Sequence, residues 1–158
     1  MKRPNRVVGM ELPPPFSQAD GNLPPSLVSK DFGCRSPLDK VLSPLSESKG
    51  LRSFRIGKTL YQNGVSTPRP IAAWEIRRWG FVQASFYLYE EVSEATLVRQ
   101  LLKDHPKRDK QLSPVLEDLA KLVRGMHDSG IFHRDLTLGN FLATAESRGR
   151  GNSRVSII

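Results

Sequence analysis

From Ser48 to Asn63 the apolar residues Leu51, Phe54, Ile56 and Leu60 recur at close to helical spacing, and Asn63-Gly64 supplies a stop, so the stretch predicts a helix. A second stripe, Leu116, Leu119, Leu122, Val123 and Met126, predicts another helix running to Gly130. Its expected start is Ser113 as N-cap with Pro114 at the first helical position, where the missing N–H costs nothing. Strands show as short runs of β-branched and aromatic residues. Val7 to Leu12 and Ser26 to Phe32 suggest a hairpin with a long connection, and Ile71 to Ile76 with Phe81 to Tyr89 an antiparallel pair around Arg78-Trp79-Gly80. Glu94 to Leu102 predicts a short helix, followed by a charged loop from Lys103 to Lys110. Phe141 to Thr144 and Val155 to Ile158 are late strands separated by an Arg-, Gly- and Ser-rich loop. The class expected from this order is α+β.

Composition narrows the picture. With 158 residues, 38% of them hydrophobic, the chain can bury the core of one domain or of part of a larger one. Eight of its 12 prolines fall within the first 44 residues, which makes that region loop-rich. Residues 1–25 therefore read as a Pro-rich segment with a possible first strand. One cysteine, Cys34, excludes a disulfide framework, and with three scattered histidines it cannot build a structural zinc site. No apolar run approaches the roughly 20 residues of a membrane span, and Met1-Lys2-Arg3 leads into prolines and polar residues, so the expected location is the cytoplasm. The net charge of +8 suggests an anionic partner. Between Lys49 and Trp79 seven basic residues face one acid, Glu75, which fits either a solvated surface or a binding patch.

The chemistry begins where the second helix stops. Gly130-Ile131-Phe132 reads as the start of a short apolar strand; His133-Arg134-Asp135, four residues, Asn140 and a further apolar strand follow, in the arrangement of a kinase catalytic loop. The spacing has a reason: an aspartate must reach the acceptor hydroxyl while an asparagine on the same loop binds a magnesium ion on the phosphates. The competing reading is an ordinary polar loop with a helix-terminal histidine. Two decoys fail. Asp31-Phe32-Gly33 spells the kinase metal-binding tripeptide but lies upstream of the catalytic loop, where it is better read as a strand end. Gly57-Lys58-Thr59 resembles the close of a P-loop, yet Arg52 stands where the required glycine belongs, within a helical stretch.

Gly64-Val65-Ser66-Thr67-Pro68-Arg69-Pro70-Ile71-Ala72 with Trp74-Glu75, then Tyr87-Leu88-Tyr89-Glu90, then His133-Arg134-Asp135 to Asn140, resembles the lipopolysaccharide kinase family that phosphorylates Kdo or heptose in the inner core. The likeness covers roughly residues 26 to 158. It implies a protein-kinase-like fold: a small β-rich N-lobe over residues 26–92, then the first helices and catalytic loop of an incomplete helical C-lobe over residues 93–158. It also implies ATP and Mg2+ as cofactors, a lipopolysaccharide core sugar or lipid A precursor as acceptor, and peripheral contact with the inner membrane; nucleic acid is not an expected partner. Asp135 would be the catalytic base, Asn140 a magnesium ligand, and His133 and Arg134 members of the loop. Lys30 would hold the nucleotide phosphates, and Glu90 to Val92 would be the hinge whose backbone binds adenine. The sequence departs from the pattern in three places. No glutamate in the first helix is set to pair with Lys30, no glycine-rich loop precedes it, and no metal-binding aspartate follows Val155 to Ile158. The chain is thus expected to act as a fragment of impaired activity, with a protein kinase-like enzyme or a non-catalytic module for an anionic partner as alternatives.

Overall fold

The computed structural model describes residues 6–11, 24–33, 47–104, 112–132, 136–144 and 154–158. They fall into two compact units. The first comprises Met1–Lys58 with Arg69–Glu91, the second Thr59–Pro68 with Val92–Ile158.

The first unit is built on a four-stranded antiparallel sheet of β1 (Arg6–Glu11), β2 (Ser26–Phe32), β3 (Pro70–Arg78) and β4 (Phe81–Glu90), in the order β1-β2-β4-β3. Both expected strand pairs are present. β1 and β2 are joined across the long connection, and Asp31 and Phe32 end β2 as anticipated. Register then sorts the side chains, because alternate residues point to opposite faces. Lys30 lies between Val7 and Tyr87, and Ser85 pairs with Phe32 and Glu75, so these residues share one face. Helix α1 (Lys49–Gln62) starts in this unit and covers that face. Phe54 meets Tyr87 edge-on with centroids 6.4 Å apart, and the Gly50 N–H donates to Ser85 Oγ at 3.2 Å. Gly57, Lys58 and Thr59 all lie within α1, which rules out a phosphate-binding turn there. The opposite face carries Val8, Met10, Trp74, Ile76, Phe86 and Leu88.

The second unit holds β5 (Thr96–Leu97), α2 (Val98–Asp104), α3 (Ser113–Asp128), a 3-10 turn at Leu138–Asn140, β6 (Phe141–Ala143) and β7 (Val155–Ile157). Its sheet is antiparallel in the order β5-β6-β7. Val98, Met126, Val155 and Ile157 are fully enclosed, with Phe141, Leu122, Val115 and Leu112 around them. Burial of each large apolar side chain contributes about 1.5–3 kcal/mol, so this cluster holds the unit together. α3 ends in a Schellman motif: Gly130, at φ +71, donates to the His127 carbonyl at 2.9 Å, and Ile131 donates to Met126 at 2.9 Å. The end of α1 repeats it, with Gly64 at φ +74 donating to Tyr61 and Val65 to Leu60.

Five details differ from expectation. The helix anticipated from Glu94 begins only at Val98, because Glu94 takes φ +57 and Thr96–Leu97 are drawn into pairing with Ala143 and Leu142. Local pattern could not reveal those partners, 47 positions from Thr96 and 45 from Leu97. The cap of α3 is Leu112, not Ser113; Ser113 is already helical and its hydroxyl donates to Glu117 at 3.2 Å. Val115 takes the buried place assigned to Leu116, which is 42% exposed, because the stripe meets the core one residue earlier. Ile131 and Phe132 form no strand: the Schellman motif turns the chain outward and leaves Phe132 exposed, stacked on His127 at 5.3 Å. Lys103 and Asp104 extend α2 instead of opening a loop; residues 105–110 of that loop lie outside the described residues.

Candidate active site

His133, Arg134 and Asp135 lie outside the described residues, and the structure describes the segments on either side of them. Before them stands the closed end of α3. After them, Leu136 and Thr137 lead into the 3-10 turn that delivers Asn140 to the start of β6. The turn is fastened from two directions. Asn140 N–H donates to the Thr137 carbonyl at 2.9 Å, and the Asn140 carbonyl accepts from Ile158 N–H at 2.9 Å, so the end of β7 pins its backbone. With its backbone fixed, Asn140 presents a half-buried side chain. An asparagine meant to ligate a metal needs this restraint. Gly139, one residue earlier, lies beside the Arg99 guanidinium of α2, where a Cβ would make ordinary contact with Arg99 Cζ at 3.6 Å.

Sequence reasoning missed what braces this region. Val65 to Pro68 is buried and runs against β7. Ser66 accepts from Ile157 N–H at 3.0 Å through its carbonyl and shares a 2.9 Å hydrogen bond with the Ser156 hydroxyl. Thr67 Oγ1 donates to the Ile157 carbonyl at 2.8 Å. The same β7 carries the Asn140 contact, so Ser66 and Thr67 support the turn through one intervening strand. The available signal was two small hydroxyl residues beside a proline in an otherwise apolar run. Asp118 of α3 adds a further brace by accepting the Arg154 N–H at 3.0 Å.

In the first unit, Lys30 sits mid-sheet on the face covered by α1, half-buried, with its ammonium 5.7 Å from the Phe32 ring centroid. Gly9 is on the same face, opposite Val28; among the described residues, a Cβ added to it would meet Glu91 Oε1 alone, at 4.0 Å. Glu47, just ahead of α1, accepts from Arg55 at 3.3 and 3.1 Å in a two-point contact. This raises the Arg55 pKa further. Burial pushes the Glu75 carboxyl up, but hydrogen bonds from Ser48 and Arg77, with the Arg77 charge, outweigh it and hold it below the usual value. At the hinge segment, Glu90 N–H is engaged by the Arg69 carbonyl at 2.9 Å and Glu91 N–H by Ser26 at 3.1 Å. The Val92 carbonyl accepts from Ala95 at 3.3 Å. The chain passes from the first unit to the second between Glu91 and Val92.

Lys30 and Glu90 thus belong to one unit, Val92 and Asn140 to the other. Among the described residues no cluster of three His, Cys, Asp or Glu side chains could hold a metal by itself. A magnesium ion carried by phosphates and bound through one or two protein oxygens needs no such cluster, so the Asn140 amide suits that mode. Among the same residues no helix is long and apolar enough to cross a membrane.

A family model described as "Lipopolysaccharide kinase (Kdo/WaaP) family" matches residues 38–158. A 3-deoxy-D-manno-octulosonic acid kinase of Vibrio vulnificus is 32% identical over 101 residues, 64% of this chain and 41% of that protein. The corresponding kinase of Vibrio cholerae is 28% identical over 96 residues, covering 61% and 39%. "Probable serine/threonine-protein kinase fnkB" of Dictyostelium discoideum is 38% identical over 63 residues, 40% of this chain and 12% of that one. The chain therefore spans about two-fifths of the length of the Kdo kinases it matches. Among solved structures, "WaaP in complex with acyl carrier protein" matches 98% of this chain and 56% of its own, with a TM-score of 0.59 and 21% identity. That likeness establishes the protein-kinase-like α+β fold.

Proposed function

The chain belongs to the lipopolysaccharide kinase (Kdo/WaaP) family, and on that premise we propose that it serves ATP-dependent phosphoryl transfer to a hydroxyl of an inner-core sugar, on a Kdo-bearing lipid A precursor. The observation that carries this reading is the fastened turn at Asn140, five residues after Asp135. ATP with magnesium supplies the transferred γ-phosphoryl group and the charge neutralisation that lets an alcohol attack it.

Each residue then has one task. Asp135 would take the proton of the acceptor hydroxyl as its oxygen forms the new bond to the γ-phosphorus and the bond from that phosphorus to the bridging oxygen breaks, releasing ADP. Asn140 holds the metal through its amide oxygen, and its braced backbone keeps that oxygen in place. Lys30 sets its ammonium against the phosphate oxygens, where a compact point charge needs no fixed orientation. His133 and Arg134 shape the loop. With Glu90 and Glu91 N–H groups engaged elsewhere, the hinge donor for adenine falls to Val92. The acceptor being an anionic glycolipid, the place of work is the cytoplasmic face of the inner membrane.

The test is phosphate transfer from labelled ATP to a Kdo-bearing lipid A precursor, with Asp135→Asn as control. Transfer lost in Asp135→Asn, with ATP binding retained, supports the reading; a folded chain that binds no ATP overturns it. A second reading, transfer to protein, draws on the 38% identity to fnkB. Label entering a protein acceptor in place of the sugar would favour it.

A further inference from the structure

Among the described residues, Trp79 is the most exposed of the large apolar side chains, at 85%. It occupies the first loop position of the turn joining β3 to β4, at φ +55, with Gly80 following at φ +79. Two successive positive φ values make the mirror-image hairpin turn that favours Asn-Gly. A bulky L residue pays steric strain in that region, and an indole left in water gains nothing from packing. Folding alone therefore gives no reason for tryptophan at this site.

The surroundings supply one. Pairing with β4 places Trp74 and Ile76 on the face turned away from α1, and after a register shift between Ile76 and Arg77 the strand reaches Arg78 at the base of the tip. Phe81 pairs with Arg78 and Phe86 with Trp74, whose rings stack with centroids 5.1 Å apart. Ile76 is 53% and Trp74 42% exposed, and Val8 and Met10 continue the apolar surface across β1. Arg77 and Arg78 directly precede the tip, where Arg77 bonds to Glu75 and to the Gly80 carbonyl. The chain as a whole carries a net charge of +8.

We propose that this hairpin tip and outer sheet face dock onto an anionic phospholipid bilayer, with Trp79 at the headgroup boundary and Arg78 on lipid phosphates. The occupant follows from the chemistry. An indole flanked by arginine matches the interfacial depth at which tryptophan is enriched in membranes. Apolar insertion and attraction to anionic headgroups add in such contacts, and guanidinium binds phosphate in a two-point geometry. The proposal goes beyond phosphoryl transfer and stands without it, because lipid binding is read in the absence of nucleotide.

The full chain is incubated with vesicles of phosphatidylcholine, with and without phosphatidylglycerol, and followed by co-sedimentation and tryptophan emission. The chain should bind the anionic vesicles selectively, with weakening by salt and a blue-shifted emission. Trp79→Asn should weaken binding by about fivefold or more, and Arg78→Ser by about fivefold. Trp79→Asn should at the same time hold or raise the melting temperature, since asparagine suits the turn, which separates lost contact from lost fold. Ile76→Ser tests the sheet face should the turn itself respond. Binding unchanged in all three variants, or a folded chain that ignores anionic vesicles, overturns the proposal. Trp79-dependent capture of an acidic protein without vesicle binding would overturn it in favour of a protein partner.

Discussion

The hydroxyl of Tyr87 lies over Gly57, at the place where any larger residue would set its Cβ: a methyl group there would come 2.5 Å from the phenolic oxygen. Tyr87 is 4% exposed and cannot swing aside. Gly50 is tighter still, because its added Cβ would meet the backbone of Phe86 at 2.6 Å from the carbonyl oxygen. Alanine would favour an isolated helix by about 1 kcal/mol at either position. Here overpacking wins. Gly57→Ala is expected to destabilise by about 1–3 kcal/mol and Gly50→Ala by at least as much, read from denaturant unfolding.

Alkaline pH should find the same corner. Burial pushes the Tyr89 phenol up from an ordinary value of 10 to about 12, and burial, with Tyr89 nearby, also pushes up Tyr87. The folded protein keeps these protons while the unfolded chain gives them up. Their contribution is complete below pH 10 and falls as pH rises toward 12, by about 1.4 kcal/mol per pH unit for each tyrosine in that window. Unfolding free energy measured across this range should fall less steeply in Tyr89→Phe.

The Ser66 and Ser156 hydroxyls, 90 positions apart, form a buried pair at 2.9 Å. Ser66→Ala should cost about 1–3 kcal/mol, because it leaves the Ser156 hydroxyl without its partner. The double variant Ser66→Ala with Ser156→Ala should cost less than the sum of the two. A double-mutant cycle in denaturant measures the coupling; purely additive losses would refute it.

Nucleotide affinity tests the site by parts. Lys30→Ala should weaken ATP binding in the presence of magnesium about tenfold, the size of one charge-assisted hydrogen bond. Asn140→Ala should weaken binding with magnesium and leave magnesium-free binding near the parent value. Calorimetric titration of both variants, with melting temperatures alongside, checks the two expectations. An Asn140→Ala loss independent of magnesium would assign that residue a purely structural part.

Much of this protein was written in its local pattern. Apolar spacing located α1 and the body of α3, β-branched runs located β1 to β4 and the late strands, and the spacing of Asp135 and Asn140 pointed to the chemistry proposed above, because an amphipathic period and a fixed motif are properties of neighbours in sequence. Where a residue's fate depended on a distant partner, the same pattern misled or fell silent. Thr96 and Leu97 became a strand through β6, and Val115 displaced Leu116 in the core. Ser66 and Thr67, outside every element the pattern predicts, became the brace of β7. The outer sheet face shows the division well: sequence reading located Trp79 in a turn, whereas only strand register gathered Trp74, Ile76, Arg78 and Phe81 beside it. Sequence determines which segments can bury an apolar side; the tertiary pairing, through hydrogen bonds between chain segments far apart, decides which side that is and what is left facing outward.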